Sequence, residues 1–311
     1  MSQQIGIDIG GTNLRIGVVQ DLKVIYEQRI HADFASICIS NPPDTALREI
    51  IEIISHGIKQ TLSNYVAIDS IGIGFPGFID PKTGVLASSP NLPGLINIDL
   101  AKALAKKIKR PVCIENDALA AAYGEYLLNK FPSSKGVIYI GLGTGIGGGL
   151  VYAGNLIAGE HGFAMEIGHI ITHPKGRLCG CSNYGCLEQY ASATGISKNY
   201  QDLTGKRLNA HDIAHLAKEG DSIAKKSYDV AGKSLAQALA HILKIVDIEQ
   251  VVIGGGVSKA WEFMKPAFDT QLNADLIPVL RGKVQIHISN SLDQAGIIGS
   301  ALLSINKAKL L

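Results

Sequence analysis

The chain has 311 residues, 46% of them hydrophobic and 18% charged, enough to bury a large core and a length that suggests two domains rather than one. A formal charge of +2, from 29 basic against 27 acidic residues with no basic block, gives no electrostatic argument for a nucleic-acid partner. The N-terminus has no secretory signal and no apolar run approaches the ~20 residues of a membrane span, so a cytoplasmic protein without a membrane partner is expected.

Three runs rich in β-branched residues open the chain, Ile5–Ile9, Leu14–Gln20 and Val24–Ile30, and read as an antiparallel meander. Leu47, Ile50, Ile51, Ile54 and Ile58 recur at helical spacing and predict a helix from about Thr45 to Leu62. Ile68–Gly74 predicts a buried strand, Asp99–Ile108 a helix, Pro111–Ile114 a short strand, and Asp117–Leu128 an Ala-rich helix capped by Asn116 or Asp117.

The pattern then begins again. Lys135–Leu142 and Gly147–Ala153 read as strands around a glycine turn, and setting Gly11-Thr12 against Gly143-Thr144 also aligns Ile7 with Tyr139 and Gly17 with Gly149, a weak internal duplication. Helices follow near Ile213–Lys218 and Ile223–Val246, then a strand Gln250–Ile253, a helix Lys259–Leu272, a strand Val284–Ile288 and a last helix from about Asp293 to Ala308. A boundary near Phe131–Lys135 gives an N-terminal α/β lobe over 1–132 and a C-terminal α/β lobe over 133–311, with the last helix a candidate to pack back on the first lobe. Two similar α/β lobes imply a ligand cleft between them.

Three glycine clusters mark candidate ligand turns. In D-I-G-G-T-N, Asp8 to Asn13, exposed amides and the Thr12 hydroxyl can donate to phosphate oxygens while Asp8 can hold Mg²⁺; a tight hairpin with an incidental acid explains the same residues. G-L-G-T-G-I-G-G-G, Gly141 to Gly149, contains a formal G-x-G-x-x-G, but Leu150-Val151-Tyr152 continues a strand where a dinucleotide site needs a helix, so a phosphate-cradling hairpin fits better. Gly254–Gly256 lies between a strand and a helix and suits either a nucleotide contact or a plain connection. Asp117, at a strand-to-helix junction, is by itself best explained as an N-cap. Beside two phosphate-type turns, the alternative gains weight that it accepts a proton from an attacking hydroxyl.

Between Gly168 and Tyr190, three of the five cysteines fall within eight residues, with His169 and His173 upstream. In a reducing compartment such a cluster points to metal rather than disulfides, and Cys179 and Cys181 are too close for an easy mutual disulfide. Spacing alone leaves His169 and His173 as rival ligands.

D-I-G-G-T-N at Asp8, G-F-P-G at Gly74, S-P-N-L-P-G at Ser89, E-N-D-A at Glu115, G-L-G-T-G-I-G-G-G at Gly141, E-I-G-H at Glu166 and C-G-C-S-N-Y-G-C-L-E at Cys179 together resemble the ROK (repressor, open reading frame, kinase) sugar kinases. The resemblance spans essentially the whole chain and implies an α/β, two-lobed actin/hexokinase-like (ribonuclease H-like) fold. It further implies an ATP-dependent kinase acting on the C6 hydroxyl of a hexose, most simply glucose, or of N-acetylmannosamine or N-acetylglucosamine. Carried over by position, Asp117 is the catalytic base, and Asn91, Asn116, Glu166, His169 and Glu188 contact the sugar. Asp8, Gly10, Gly11 and Thr12 serve phosphate and Mg²⁺, and Gly143, Thr144, Gly254, Gly255 and Gly256 further contact ATP. His169, Cys179, Cys181 and Cys186 form a structural zinc site, a closed four-ligand set.

The resemblance also suggests a homodimer or tetramer. It covers sugar-responsive repressors too, but those carry an added N-terminal helix-turn-helix domain, which is not expected here ahead of a turn beginning at Asp8. Leu119, Met165 and Ser182 depart from the family pattern, the first two bearing on sugar identity and the third on the zinc loop.

Overall fold

A computed structural model of the chain describes residues 2–10, 12–129, 131, 134–291 and 294–308. Gly11 of the first turn, the Pro132-Ser133 pair at the expected boundary and Asp293 at the expected start of the last helix lie outside the described residues.

The elements run β1 (Gln3–Ile9), β2 (Asn13–Gln20), β3 (Lys23–His31), α1 (Phe34–Ser40), α2 (Pro43–Asn64), β4 (Ile68–Phe75), β5 (Phe78–Ile79), β6 (Leu86–Ser88), β7 (Ile96–Ile98), α3 (Leu100–Ile108), β8 (Val112–Asn116) and α4 (Asp117–Asn129). They continue with β9 (Gly136–Leu142), β10 (Ile146–Tyr152), β11 (Asn155–Leu156), α5 (Glu188–Ala191), α6 (Ala193–Thr204), α7 (Ala210–Lys218), α8 (Ser222–Val246), β12 (Gln250–Gly254), α9 (Trp261–Asp275), β13 (Gln285–Ile288) and α10 (Ala295–Ala308). The sequence reading passes over α1, α6 and the small β5-β6-β7 sheet, all of them too short or too mixed in composition to show a period.

The meander is present, and β4 and β8 extend it in parallel to give the order β3-β2-β1-β4-β8. A second sheet has the order β11-β10-β9-β12-β13, the same sequence of a hairpin followed by two parallel neighbours, which is the duplication seen in the sequence. Register decides what lies at the strand ends. Asp8 pairs with Gly74 and Gly74 with Glu115, so β1, β4 and β8 finish in one row, and in the second sheet Gly141 pairs with Gly254. The carboxyl ends of parallel strands are where open α/β sheets take ligands.

The chain divides into two compact units, Met1–Phe131 with Gly149–Ala164 and Ser291–Leu311, and Pro132–Gly148 with Met165–Asn290. A single cut between 132 and 133 separates the expected lobes; the units differ from it in carrying Gly149–Ala164 with the first, and the last helix, the candidate to pack back, also falls with the first. Packing explains both. Alanine at Gly72 of β4 would put its Cβ 1.8 Å from Ser300 O, so α10 lies directly on the strand backbone. Phe163 stacks edge-on against Phe78 at 4.9 Å and anchors the 157–164 loop.

On the other face of the first sheet, Ile5, Ile7, Leu14 and Ile16 pack against the α2 stripe of Ala46, Ile50, Ile54 and Ile58, all fully buried. In the second unit α8 lies along α9, with Tyr228, Leu235 and Leu239 buried and Asp221 capping its start through the amides of Ile223 and Ala224. Among the described residues no helix is long and apolar enough to cross a membrane.

Candidate active site and metal cluster

In the first unit, Asp117 begins α4 directly after β8. Of the two candidate caps, Asn116 does the capping, since its Oδ1 accepts from Leu119 N at 3.0 Å while its Nδ2 donates to Gly77 O at 3.1 Å. Asp117 is left with a bond from Ala118 N to Oδ1 at 2.9 Å. Burial raises the Asp117 carboxyl above the usual carboxylate range, and the amides of Ala118 and Asp117 oppose that shift only in part. A helix-capping explanation of Asp117 is therefore unnecessary, and a half-buried carboxyl whose pKa is raised remains.

Asp8 sits at the end of β1 with Arg15 Nη1 3.6 Å from its Oδ2, and Arg15 is held in turn by Glu27 at 3.0 and 3.2 Å. The adjoining turn is closed by Gly10 N donating to Asn13 O at 2.9 Å and by Ala32 N donating to Thr12 O at 3.0 Å. Asn91 lies exposed in the turn after β6, where Leu92 N donates to Ser89 O and Ser89 Oγ to Pro76 O.

In the second unit the turn between β9 and β10 is closed by Gly143 N donating to Gly145 O at 2.9 Å. Glu188, at the start of α5, aims its carboxylate at this turn, and Oε2 accepts from Ile146 N at 3.0 Å. A Cβ on Gly145 would come within 2.4 Å of that oxygen, so the close approach requires glycine there. Gly254 ends β12, Gly255 takes a φ of 83°, and Gly256 opens a short 3₁₀ turn, Gly256–Ala260, that leads into α9.

The cysteine stretch brings His169, Cys179, Cys181 and Cys186 together, with one donor atom from each all within 4.8 Å of one another. Cys181 Sγ is 3.6 Å from Cys186 Sγ, and Cys179 Sγ is 3.7 Å from His169 Nδ1. A tetrahedral ion with bonds of about 2.3 Å to sulfur sets its sulfurs about 3.8 Å apart, so the donor set fits zinc. His169 Nε2 faces away from the sulfurs, 3.9 Å from Glu166 Oε2. The rival His173 is elsewhere: its ring stacks on Tyr190 at 3.8 Å, and burial with the nearby Arg177 charge lowers its pKa.

Gln189 gives a further sign that Cys179 acts as an acceptor. Its Oε1 accepts a hydrogen bond from Lys198 Nζ at 2.6 Å, which turns its amide N–H towards Cys179 Sγ at 3.6 Å. Such donors to a ligating sulfur tune the metal site. Burial and the neighbouring sulfurs push Cys186 up to about 12, whereas for the exposed Cys181 a desolvation that raises it is outweighed by Asn183 N–H and the adjacent thiols, and it is lowered. The protein by itself keeps protons in the cluster that a bound cation would displace.

Two of the three departures from the family pattern share a backbone feature. Met165 has φ 67° and Ser182 φ 71°, the left-handed region where glycine is the unstrained residue. Leu119 is buried in α4 and its amide is the one that Asn116 caps.

The structure thus groups Asp8, Thr12, Asn91, Asn116 and Asp117 in the first unit and Gly143, Thr144, Glu166, His169, Glu188 and Gly254–Gly256 with the cysteines in the second. Sequence reasoning passed over Arg15, Arg177, Gln189, Ser192 and Thr194. Arg177 Nη1 donates to Gln189 O at 2.5 Å and to Asn199 Oδ1 at 2.9 Å, and its guanidinium lies 4.5 Å from the centre of the Tyr190 ring. Only Ser192 left a usable signal, as an N-cap before A-T-G, and it caps α6 through Gly195 N.

Two sheets of like order, each with a glycine turn in its first hairpin, form the two-lobed actin/hexokinase-like α/β fold that the sequence leads one to expect. Against known families the chain matches the ROK family over residues 4–307, and it belongs to that family. A glucokinase of Thermotoga maritima is 33% identical over 312 residues, spanning 96% of this chain and 95% of that one. An N-acetyl-D-glucosamine kinase of Histophilus somni is 29% identical over 317 residues, spanning 97% and 99%. The crystal structure of a ROK family glucokinase from Streptomyces griseus in complex with glucose and AMPPNP is similar over 98% of this chain and 100% of that one, with a TM-score of 0.79 and 28% identity.

Proposed function

We propose that the chain is an ATP-dependent sugar kinase that transfers the γ-phosphate of ATP to the C6 hydroxyl of a hexose, with glucose as the leading substrate. The observation that carries this is Asp117, a half-buried carboxyl with a raised pKa, relieved of capping by Asn116, at the end of the same strand row as Asp8. As general base it takes the C6 hydroxyl proton while that oxygen attacks the γ-phosphorus; the bond from phosphorus to the β–γ bridging oxygen breaks and ADP leaves.

Asp8, Gly10, Gly11 and Thr12 are assigned to the phosphates and Mg²⁺, and Gly143, Thr144 and Gly254–Gly256 to the rest of the nucleotide. The Asp8 carboxylate suits a hard cation, and Arg15 Nη1 lies 3.6 Å from its Oδ2. Mg²⁺, when bound, neutralises charge on the phosphate oxygens. Asn91, Asn116, Glu166, His169 and Glu188 are assigned to the sugar hydroxyls. His169, Cys179, Cys181 and Cys186 would hold a structural zinc that braces the loop carrying Glu166, His169 and Glu188. We read the protein as a cytoplasmic homo-oligomer, a dimer or tetramer, without nucleic-acid or membrane partners.

Relatives named for glucose and for N-acetylglucosamine are similar at nearly equal identity, 33% and 29%. Met165, immediately before Glu166, departs from the family pattern in a way that bears on the sugar. Purified protein with Mg-ATP is therefore to be offered glucose, N-acetylglucosamine and N-acetylmannosamine, with ADP release as the readout. ADP formation with glucose in excess over the others is expected. No ADP with any sugar would overturn the kinase reading in favour of a sugar-binding regulator without catalysis.

A further inference from the structure

Within the second unit, α5 and the start of α6 grip the turn between β9 and β10 from one side. Besides the Glu188–Ile146 bond, Ala193 N donates to Gly143 O at 2.9 Å and Thr194 Oγ1 donates to Thr144 O at 3.1 Å. The gripping element is itself stiff. Fully buried Ser192 donates its hydroxyl to Glu188 O at 2.7 Å and accepts from Gly195 N at 3.0 Å, which fixes the joint between the two helices. Arg177 ties the same joint to the cysteine loop through Gln189 O.

These bonds fix more than the position of the turn. In a planar trans peptide the carbonyl and the following amide point in opposite directions. Holding Gly143 O and Thr144 O towards α6 therefore turns the amides of Thr144 and Gly145 to the opposite side, as donors for an anion.

We propose that Thr194 is a positioning residue for the Gly143–Ile146 turn, and that with Glu188 it couples occupancy of the sugar site to affinity for the nucleotide. The inference rests on the proposed assignment of Glu188 to the sugar and of Gly143-Thr144 to ATP. Thr194 is exposed, so its bond adds little to the fold, and its loss is read in ligand affinity rather than in unfolding.

The test is a titration of Mg-AMPPNP into the full chain, alone and with the best-turned-over sugar at saturation, for the unsubstituted protein, Thr194→Val and Thr194→Ser. The valine variant is expected to bind roughly twofold to tenfold more weakly, the worth of one ordinary hydrogen bond, and to lose most of the affinity gained from sugar. Its KM for ATP should rise more than its kcat falls, at an unchanged melting temperature. The serine variant keeps the donor and should match the unsubstituted protein. Equal affinities for the valine variant and the unsubstituted protein in both titrations would overturn the inference. If the unsubstituted protein forms no ADP with any sugar, the proposed function fails instead, and the sugar-free titration still decides the role of Thr194.

Discussion

Replacing Asp117 by asparagine separates catalysis from folding at one atom. Asparagine has the same shape, its Oδ1 can keep the 2.9 Å bond from Ala118 N, and the helix cap belongs to Asn116, so α4 keeps its start. What disappears is the negative charge and the ability to take a proton. Loss of a general base lowers turnover by about 10²- to 10⁴-fold, or ~2.7–5.4 kcal/mol of barrier at ~1.36 kcal/mol per decade.

Stability should move the other way. Burial raises the Asp117 carboxyl in the folded state above its unfolded value, so the ionised side chain destabilises the fold. That penalty is absent below the unfolded pKa, grows as pH rises through the folded one, and is full above it. Asp117→Asn should thus melt higher than the unsubstituted protein near neutral pH and equally in strong acid. In the unsubstituted enzyme kcat/KM should fall as pH drops through the raised value, on an acid limb displaced upward from ordinary carboxylates. The assays are coupled ADP release and thermal unfolding across pH. Near-normal turnover, or a lower melting temperature at neutral pH, would refute the reasoning.

Cys181→Ser should release zinc and raise the sugar KM as the Glu166 and Glu188 backbone loosens; metal analysis of the unsubstituted protein should find one zinc per chain, and finding none would contradict the cluster's role. Ser182→Gly should relieve a left-handed serine, φ 71°, that costs about 1–2 kcal/mol, less about 0.5–1 kcal/mol for glycine's freedom when unfolded. The net gain of up to about 1.5 kcal/mol would appear as a higher chelator concentration at half-unfolding, and a lower one would count against it. Gly145→Ala should push the Glu188 carboxylate off Ile146 N and raise the KM for both substrates about tenfold or more, the scale of a hydrogen bond to a charged group, with little loss of fold because the carboxylate can swing away. Unchanged kinetics in that variant would show the bond to be idle.

Much of this was legible in the chain. Runs such as Ile5–Ile9 and the Ile50, Ile54, Ile58 stripe carry periods of two and of about 3.6 that only a strand and a helix can bury, and the structure uses them so. The cysteine spacing likewise announced a cluster, since three thiols so close in sequence suit a metal better than mutual disulfides. What stayed hidden depends on contacts between residues far apart. Whether Asn116 or Asp117 caps α4 is set by side-chain direction, which spacing does not encode. Thr194 acts on the carbonyl of Thr144, fifty positions away, and no local pattern marks such a bond. The left-handed backbone at Met165 and Ser182 was invisible for the opposite reason, because neither residue type favours it and only the surrounding turn imposes it.

The central claim, proton removal from a C6 hydroxyl with phosphoryl transfer to its oxygen, is tested most directly by pairing glucose with 6-deoxyglucose under Mg-ATP and following ADP release with phosphorus–proton correlation of the product. The account predicts ADP with glucose alone, with phosphorus coupled to the C6 protons. Phosphate on another carbon, or sugar-dependent ADP release with 6-deoxyglucose, would contradict it.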